Sequence, residues 1–418
     1  MSRMRLGLVL TGGTIGSTSP GDSDVVRLMR GPNAAGMPGW LSGPLAAFGA
    51  HQLSIERPVE LHSEEARPSD WEAMAASCRK LAERGVDAIC ILHGSDTMAY
   101  AAAALSFALA DLRLPIVLTG SNLPPDDEES DAKNNVRAAL VALRTLPDGV
   151  YLVFAGTPDG DALVHLGTRV RKERASGRAF VSPNGGPVAV VERGRMRRLV
   201  PWPLPQPLGP TSEQRLGAMA DGPAGPVSAV LDGLDTPGAN GTTPVNGWSA
   251  ARAGAAIGVT EHPRVARFDP RVLELRVHPG LPVAALEAAV DAGGLLGVVA
   301  ELYPCATGPT GDDDASLSRL AEHVTAMGGV VVGTVAAAPE IAGSYYPSLP
   351  SLTASGIGFL PGVLTSTATV KLMWALAVTG GDQARTRALM RRTVAGEVAL
   401  VGRPAPRRRV QHQVRTGS

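Results

Sequence analysis

The residues able to do chemistry gather in three short turns, each at the end of an apolar run. Residues 6–10 lead into Thr11-Gly-Gly-Thr-Ile-Gly16, residues 86–92 into His93-Gly-Ser-Asp-Thr97, and residues 115–119 into Thr119-Gly-Ser-Asn122. The turns supply hydroxyls at Thr14, Ser95 and Ser121, and glycines at Gly13 and Gly94 that open the backbone to a ligand. They also supply one carboxylate, Asp96, which reads as buried. A hydroxyl is a poor nucleophile until a base takes its proton, and a lone carboxylate is a weak base at neutral pH. A lysine held unprotonated by burial beside Asp96 would complete the set. Lys133, Arg171 and Lys172 are nearby cations, and residue type alone does not choose among them. His93 reads as structural. No histidine–cysteine cluster has metal-ligand spacing, Gly-Gly-Thr-Ile-Gly is not a dinucleotide fingerprint, and no Walker-type phosphate loop is present. Neither a metal nor a cofactor is expected.

Positioning these turns requires strands alternating with helices. Apolar strands are expected at 6–10, 86–92, 115–119 and 150–154, and helical stripes at 71–81, 98–109 and 136–143. Ser69 and Glu72 have the spacing of a capping box for the first of these helices. Such alternation predicts an α/β fold: a larger N-terminal, mostly parallel sheet flanked by helices. In such sheets ligands bind beyond the carboxyl ends of the strands, so the three turns should converge on one polar pocket. The pattern returns in smaller form, with strands at 272–277, 297–302 and 330–335 and helices at 283–292, 317–324 and 370–378, as a C-terminal α/β domain. The domain reading is 1–200 catalytic, 201–265 a Pro/Gly-rich insertion or linker, 266–402 the smaller domain, and 403–418 a basic, disordered tail.

Acidic and basic side chains balance at 39 each, so the chain has no overall field for nucleic acid or membrane, and a small-molecule partner is expected. Three widely spaced cysteines offer neither a disulfide framework nor a metal site. With no signal-peptide core after Met1, a cytoplasmic location follows as an expectation.

At the three turns the sequence resembles the bacterial-type L-asparaginases, in particular the cytoplasmic type I branch. Thr11 to Gly16 matches the first family signature, and His93-Gly-Ser-Asp-Thr-Met98 the second, with serine where threonine is usual. The likeness runs on through Ala99-Tyr100, Ala104 to Phe107 and Val117 to Ser121. Gly167-Thr-Arg-Val-Arg-Lys172 resembles the segment that brings the family's catalytic lysine, and Ser182-Pro-Asn184 follows at nearly the type I distance. The resemblance implies that Thr14 attacks a side-chain amide to form an acyl-enzyme. Ser95, Asp96 and Lys172 would form the second catalytic group, with the Ser95 backbone N–H as an oxyanion donor. Ser63 would hold the substrate α-carboxylate and Glu64 its α-ammonium, and Gly13, Gly94 and Ser121 would line the same pocket. The resemblance also implies a homodimer or homotetramer whose pocket is finished by a neighbouring subunit.

Three departures stand against this pattern. Residues 17–40 lack the tyrosine that the family's mobile loop brings to the nucleophile; Tyr345 or Tyr346 is a candidate replacement. Tyr303-Pro-Cys-Ala-Thr-Gly308 stands where the family has Gly-x-Gly-Asn, and the 201–265 block is an addition. Together they predict weak activity on free asparagine and better activity on a different or larger amide. An alternative is a catalytically weak protein of this fold that binds an amino acid or a partner. A further alternative, the ammonia-generating subunit of a tRNA-dependent amidotransferase, is placed last, because the first strand begins near residue 5 and leaves no room for the small N-terminal domain usual there.

Overall fold

The computed structural model describes residues 4–19, 27–28, 38–200, 266–335 and 348–398. Strand β1 (Met4–Leu10) lies inside a sheet because it has no polar side to show: Leu6, Leu8, Val9 and Leu10 are all buried. Parallel partners flank it, β4 (Ala50–Glu56) on one side and β5 (Ala88–Leu92) on the other. The order continues parallel through β6 (Pro115–Thr119) and β7 (Gly149–Phe154). It then turns antiparallel through β8 (Ala162–Leu166), β11 (Ala189–Glu192) and β12 (Arg195–Arg198). A two-residue pair, β2 (Ser17–Thr18) with β3 (Arg27–Leu28), leaves the first turn, and another, β9 (Arg171–Lys172) with β10 (Phe180–Val181), stands apart from the main sheet.

The smaller sheet is wholly parallel, in the order β13 (Val272–Arg276), β14 (Gly297–Glu301), β15 (Val330–Thr334), β16 (Gly358–Phe359). Helices α1 (Ser42–Phe48) and α4 (Ala132–Leu143) cover one face of the large sheet, and α2 (Pro68–Glu83) and α3 (Met98–Ala108) the other. Helices α5 (Val283–Asp291), α6 (Leu317–Ala326) and α7 (Ser348–Ala354) cover the outer face of the small sheet. Two more follow, α8 (Thr365–Thr379) and α9 (Gln383–Arg391).

Helices α3 and α8 hold the two halves together. Nearly every residue of α3 is buried, as expected of a helix that is apolar all round. Its alanines let α8 approach, and Phe107 stacks on Trp374 with ring centroids 5.7 Å apart. Trp71 of α2 meets Phe268 edge-on at 5.5 Å, and the Phe268 N–H donates to Glu72 at 3.0 Å. One apolar core therefore runs from the large sheet through α3 and α8 to Val299 and Val332 of the small sheet.

The mixed α/β architecture with a large, mostly parallel sheet and a smaller sheet domain agrees with the sequence reading. The capping box does not. Helix α2 begins two residues earlier, capped at Arg67 with Pro68 first, because proline suits the first helical position. Asp70 then accepts from the Arg67 N–H at 2.7 Å, and Glu72 is left to clasp Phe268. The 201–265 block, the 403–418 tail, Tyr345 and Tyr346 lie outside the described residues, as does most of the 17–40 loop. Among the described residues no helix is long and apolar enough to cross a membrane.

Trp374 is fully buried, so Trp374→Ala should open a cavity between the halves and cost about 3–5 kcal/mol. Urea unfolding followed by circular dichroism measures this. A loss below about 1 kcal/mol would show that the α3–α8 seam is not where the two halves are held.

Candidate active site

The turns meet because nothing but glycine fits where they cross. Gly13, at φ +71°, lies so close to Gly94 that a Cβ on it would fall 2.3 Å from the Gly94 Cα. A Cβ on Gly94 would fall 2.6 Å from the Ser63 Cβ, and one on Gly120 2.4 Å from the His93 carbonyl oxygen. Backbone bonds fix the crossing. Thr11 N–H donates to Leu92 O at 3.1 Å, Gly13 N–H to Leu61 O at 2.9 Å, and His93 N–H to Thr119 O at 2.9 Å. Thr14 and Ser95 each follow one of the two touching glycines, so both hydroxyls leave from one point of the fold. Thr14 opens a single 3-10 turn, Thr14–Gly16, and is half-buried.

Ser95 and Asp96 stand just ahead of α3, where the helix N-terminus favours negative charge. The segment 61–65 buttresses them. Ser63 is buried and its Oγ accepts from the Asp96 N–H at 3.2 Å, while the Thr97 hydroxyl donates to the Ser63 carbonyl at 2.7 Å. Glu64 is exposed.

Of the three cations, only Lys172 reaches this point. Its Nζ donates to Ser95 Oγ at 2.8 Å and to Asp96 Oδ1 at 2.7 Å. Arg171 turns instead to Glu173 at 2.7 Å, and Lys133 is exposed at the start of α4. Asp96 differs from its sequence reading. Its side chain is 59% exposed, so the carboxylate is open to solvent rather than buried. The reason is local: Asp96 sits at the outer end of the strand-to-helix turn, and only Ser95 faces inward.

His93 is wholly buried, with Nδ1 2.7 Å from Gly94 O, and burial pushes its imidazole below the ordinary range. Ser121 is equally buried, and its hydroxyl and the His93 Nε2 have no partner among the described residues. Asp131 and Asn135 were missed by sequence reasoning as supports of the third turn. Asp131 accepts from the Asn122 N–H at 2.8 Å, and Asn135 donates to Gly120 O at 2.9 Å and accepts from Ala155 N–H at 2.8 Å. Their signal was available: two polar residues four apart at the head of the apolar stripe Val136, Ala139, Leu140. The Tyr303 to Gly308 segment is a turn after β14, with Ala306 at φ +58° and its N–H bonded to Tyr303 O at 2.8 Å. Among the described residues no group of three or more His, Cys, Asp or Glu could hold a metal ion.

Known proteins share this fold. Residues 5–201 match the family model described as "Asparaginase, N-terminal". The thermostable L-asparaginase from Thermococcus kodakarensis superposes with a TM-score of 0.65 at 25% identity, over 94% of this chain and 99% of that one. L-asparaginase I from Vibrio cholerae gives 0.64 at 20% identity, over 95% and 99%. The chain therefore has the asparaginase fold, with the family match confined to residues 5–201.

The curated relatives carry a narrower name. The D-subunit of glutamyl-tRNA(Gln) amidotransferase from Saccharolobus solfataricus is 29% identical over 331 residues, 78% of this chain and 62% of that protein. Its counterpart from Aeropyrum pernix is 39% identical over 141 residues, a third of either chain (33% and 33%). The matched region thus spans less than two thirds of these relatives' length.

These names correct two expectations. The relatives are subunits of an enzyme named for a tRNA, which overturns the expectation of no nucleic acid and of a homodimer or homotetramer as the only assembly. Charge balance misled here, because a net charge near zero excludes only an overall field and leaves local or indirect partners open. The amidotransferase reading, placed last on sequence grounds, is also the one these relatives favour over the bacterial L-asparaginases.

Behind the lysine strand, His165 is buried with Nδ1 2.8 Å from Ser182 Oγ, and burial pushes its pKa from 6.5 down to about 4. The unfolded chain binds this proton below pH 6.5 and the folded chain does not until about pH 4. Its folded pKa is depressed, so the fold is unpenalised above pH 6.5 and loses up to about 3 kcal/mol as pH falls to 4. Urea unfolding at a series of pH values should show this slope in the wild type and a shallower one in His165→Gln. Equal slopes would mean that His165 protonates alike in both states.

Proposed function

We propose that the chain releases ammonia from the side-chain amide of a small amino acid, asparagine or glutamine, through an acyl-enzyme on Thr14. The observation that carries this reading is the contact of Lys172 Nζ with Ser95 Oγ and Asp96 Oδ1, at 2.8 and 2.7 Å, across 77 and 76 residues of sequence. In this reading the Thr14 hydroxyl attacks the amide carbon. Its proton passes through the Ser95 hydroxyl to Lys172, and Asp96 stabilises the ammonium that results. Backbone N–H groups at the glycine crossing stabilise the developing oxyanion. The proton returns to the leaving nitrogen, which departs as ammonia, and water then cleaves the ester. Ser63, with its Oγ already accepting from Asp96 N–H, keeps a proton to donate to the substrate carboxylate, and Glu64 faces outward to meet the ammonium. Gly13, Gly94 and Ser121 line the pocket floor. A cytoplasmic location fits two thiols, Cys78 and Cys90, that lie buried and unpaired.

A second reading has a specific support. The relatives named as a component of glutamyl-tRNA(Gln) amidotransferase suggest that this chain frees ammonia for transfer to a tRNA-bound amino acid. Glutamine, one methylene longer than asparagine, then becomes the amide to try first.

Thr14→Ala should lower turnover by at least ~10³ while leaving the unfolding curve unchanged, and Lys172→Met should inactivate. Lys133→Met should match the wild type. Ammonia release from L-asparagine and L-glutamine by the purified chain is the assay. Undiminished turnover by Thr14→Ala sinks the acyl-enzyme. A kcat/KM for asparagine of ~10⁴ M⁻¹s⁻¹ or above, exceeding that for glutamine, argues against the amidotransferase reading.

A further inference from the structure

Lys172 must hold one amine against two groups from a distant part of the chain, yet its own strand is slight. Strand β9 is two residues long and, among the described residues, pairs only with two-residue β10. The segment before it does the holding, and it is gripped from two sides. On one side, Gly167 N–H donates to Val150 O at 2.9 Å, and a Cβ there would lie 2.8 Å from Ser106 Oγ and 3.0 Å from Ala102 O of α3. Helix α3 is the element that starts just after Ser95 and Asp96. On the other side, Thr168 Oγ1 donates to Ala395 O at 3.0 Å, Arg169 Nε to Gly396 O at 2.6 Å, and Arg169 Nη2 to Val398 O at 2.6 Å. Thr367 Oγ1, at the head of α8, donates to Thr168 O at 3.0 Å.

The turn that receives these bonds is itself braced. Glu397 is fully buried, accepts from the Val394 and Ala395 N–H groups at 3.0 and 2.8 Å, and meets Lys371 Nζ at 2.7 Å. Lys371 donates in addition to the carbonyls of Met390 and Arg392 at 2.8 and 2.5 Å. Burial pushes the Glu397 carboxyl up, but the Lys371 charge and these hydrogen bonds outweigh it and hold it below the ordinary range. Burial likewise draws the Arg169 guanidinium down to about 10, against the pull of Glu397. A buried guanidinium that gives its donors to two carbonyls carries a desolvation cost. A neutral side chain could fill the space without that cost, but it could not span both carbonyls from one planar fork.

We propose that Arg169 is a positioning residue for Lys172: by clamping residues 168–170 to the 394–398 turn, it sets where β9 begins and so the reach of the amine to Ser95 and Asp96. This rests on the reading of Lys172 as the proton acceptor. It makes the C-terminal half part of the site's alignment, although it touches none of the reacting atoms.

The test compares Arg169→Met, Arg169→Lys, Thr168→Val and Lys172→Met in the full chain. Melting curves establish a temperature at which each variant is folded, and kcat and KM are then measured for L-glutamine and L-asparagine. Misplacing a catalytic group by about 1 Å can cost 10²-fold, so Arg169→Met should lose roughly 10- to 100-fold in kcat with KM within about twofold. Arg169→Lys, which keeps the charge and one bond, should recover part of the loss. A folded Arg169→Met with a lower melting temperature and wild-type kcat would overturn the proposal and leave Arg169 as a staple between the halves. Should Arg169→Met not fold, Thr168→Val decides: a fall in kcat at constant KM supports the clamp, and unchanged constants overturn it. A Lys172→Met chain that keeps its turnover overturns the reading of the site and the clamp together, whereas an inactive Lys172→Met beside a fully active Arg169→Met overturns the clamp alone.

Discussion

The site depends on two backbones touching at Gly13 and Gly94. Three parallel strands end side by side, and parallel strands in a sheet lie about 4.8 Å apart. Turns leaving neighbouring strands therefore collide unless one gives way. Here both give way by losing their side chains, and the collision becomes a contact in which a Cβ would sit 2.3 Å from its neighbour. What would be a clash in most sheets is the means of bringing two hydroxyl residues to one place. Gly12 and Gly13 both take positive φ, at 88° and 71°, which glycine adopts without strain, so the cost is the extra chain entropy lost on folding. Ser63 then fills the third side and bonds the Asp96 N–H, so the crossing is packed from every direction in which the chain passes.

The crossing brings Thr14 and Ser95 together, but not the cation. That comes from beyond the parallel part of the sheet, after β8, where the strand direction has already reversed. A lysine on a short, separate ribbon is poorly placed to be held to tenths of an ångström. The remedy is to anchor the segment before it to α3 and to the last described turn of the chain. Helix α3 thus carries both sides of the arrangement. Its N-terminus follows Ser95 and Asp96, its middle receives Gly167, and its far end stacks on Trp374 of α8.

How much of this was legible in the sequence follows from which forces are local. Buried strands such as β5, β6, β14 and β15 are continuous apolar runs, and their ends fell within a residue or two of expectation. The three turns were legible because glycine beside hydroxyl residues after such a run has few other uses. Strand β4 was not, since at the sheet edge it carries Gln52, Ser54 and Glu56 and shows no apolar run. Strands β8, β11 and β12 were missed because they are only four or five residues long and β12 is almost all arginine, with no apolar run to mark it. The exposure of Asp96 was illegible for a related reason: a carboxylate's burial depends on what passes over it, not on its neighbours in sequence. Asp131 and Asn135 left a trace in their spacing at the head of an apolar stripe, whereas Arg169 acts through bonds to main-chain carbonyls, which leave almost none.

The openness of Asp96 sets what its contact with the lysine contributes. An ion pair whose carboxylate is 59% exposed is screened by water and adds little to stability, so its part is to fix geometry. Lys172 is itself only 17% exposed, so the amine lies deeper than its counter-ion. That asymmetry makes Asp96 an orienting partner at the outer end of the turn rather than a buried counter-charge. It also leaves the carboxylate facing solvent. A site arranged in this way is aligned by its backbone crossing and by the bonds that anchor residues 167–169, because a screened ion pair could not hold the amine in place alone.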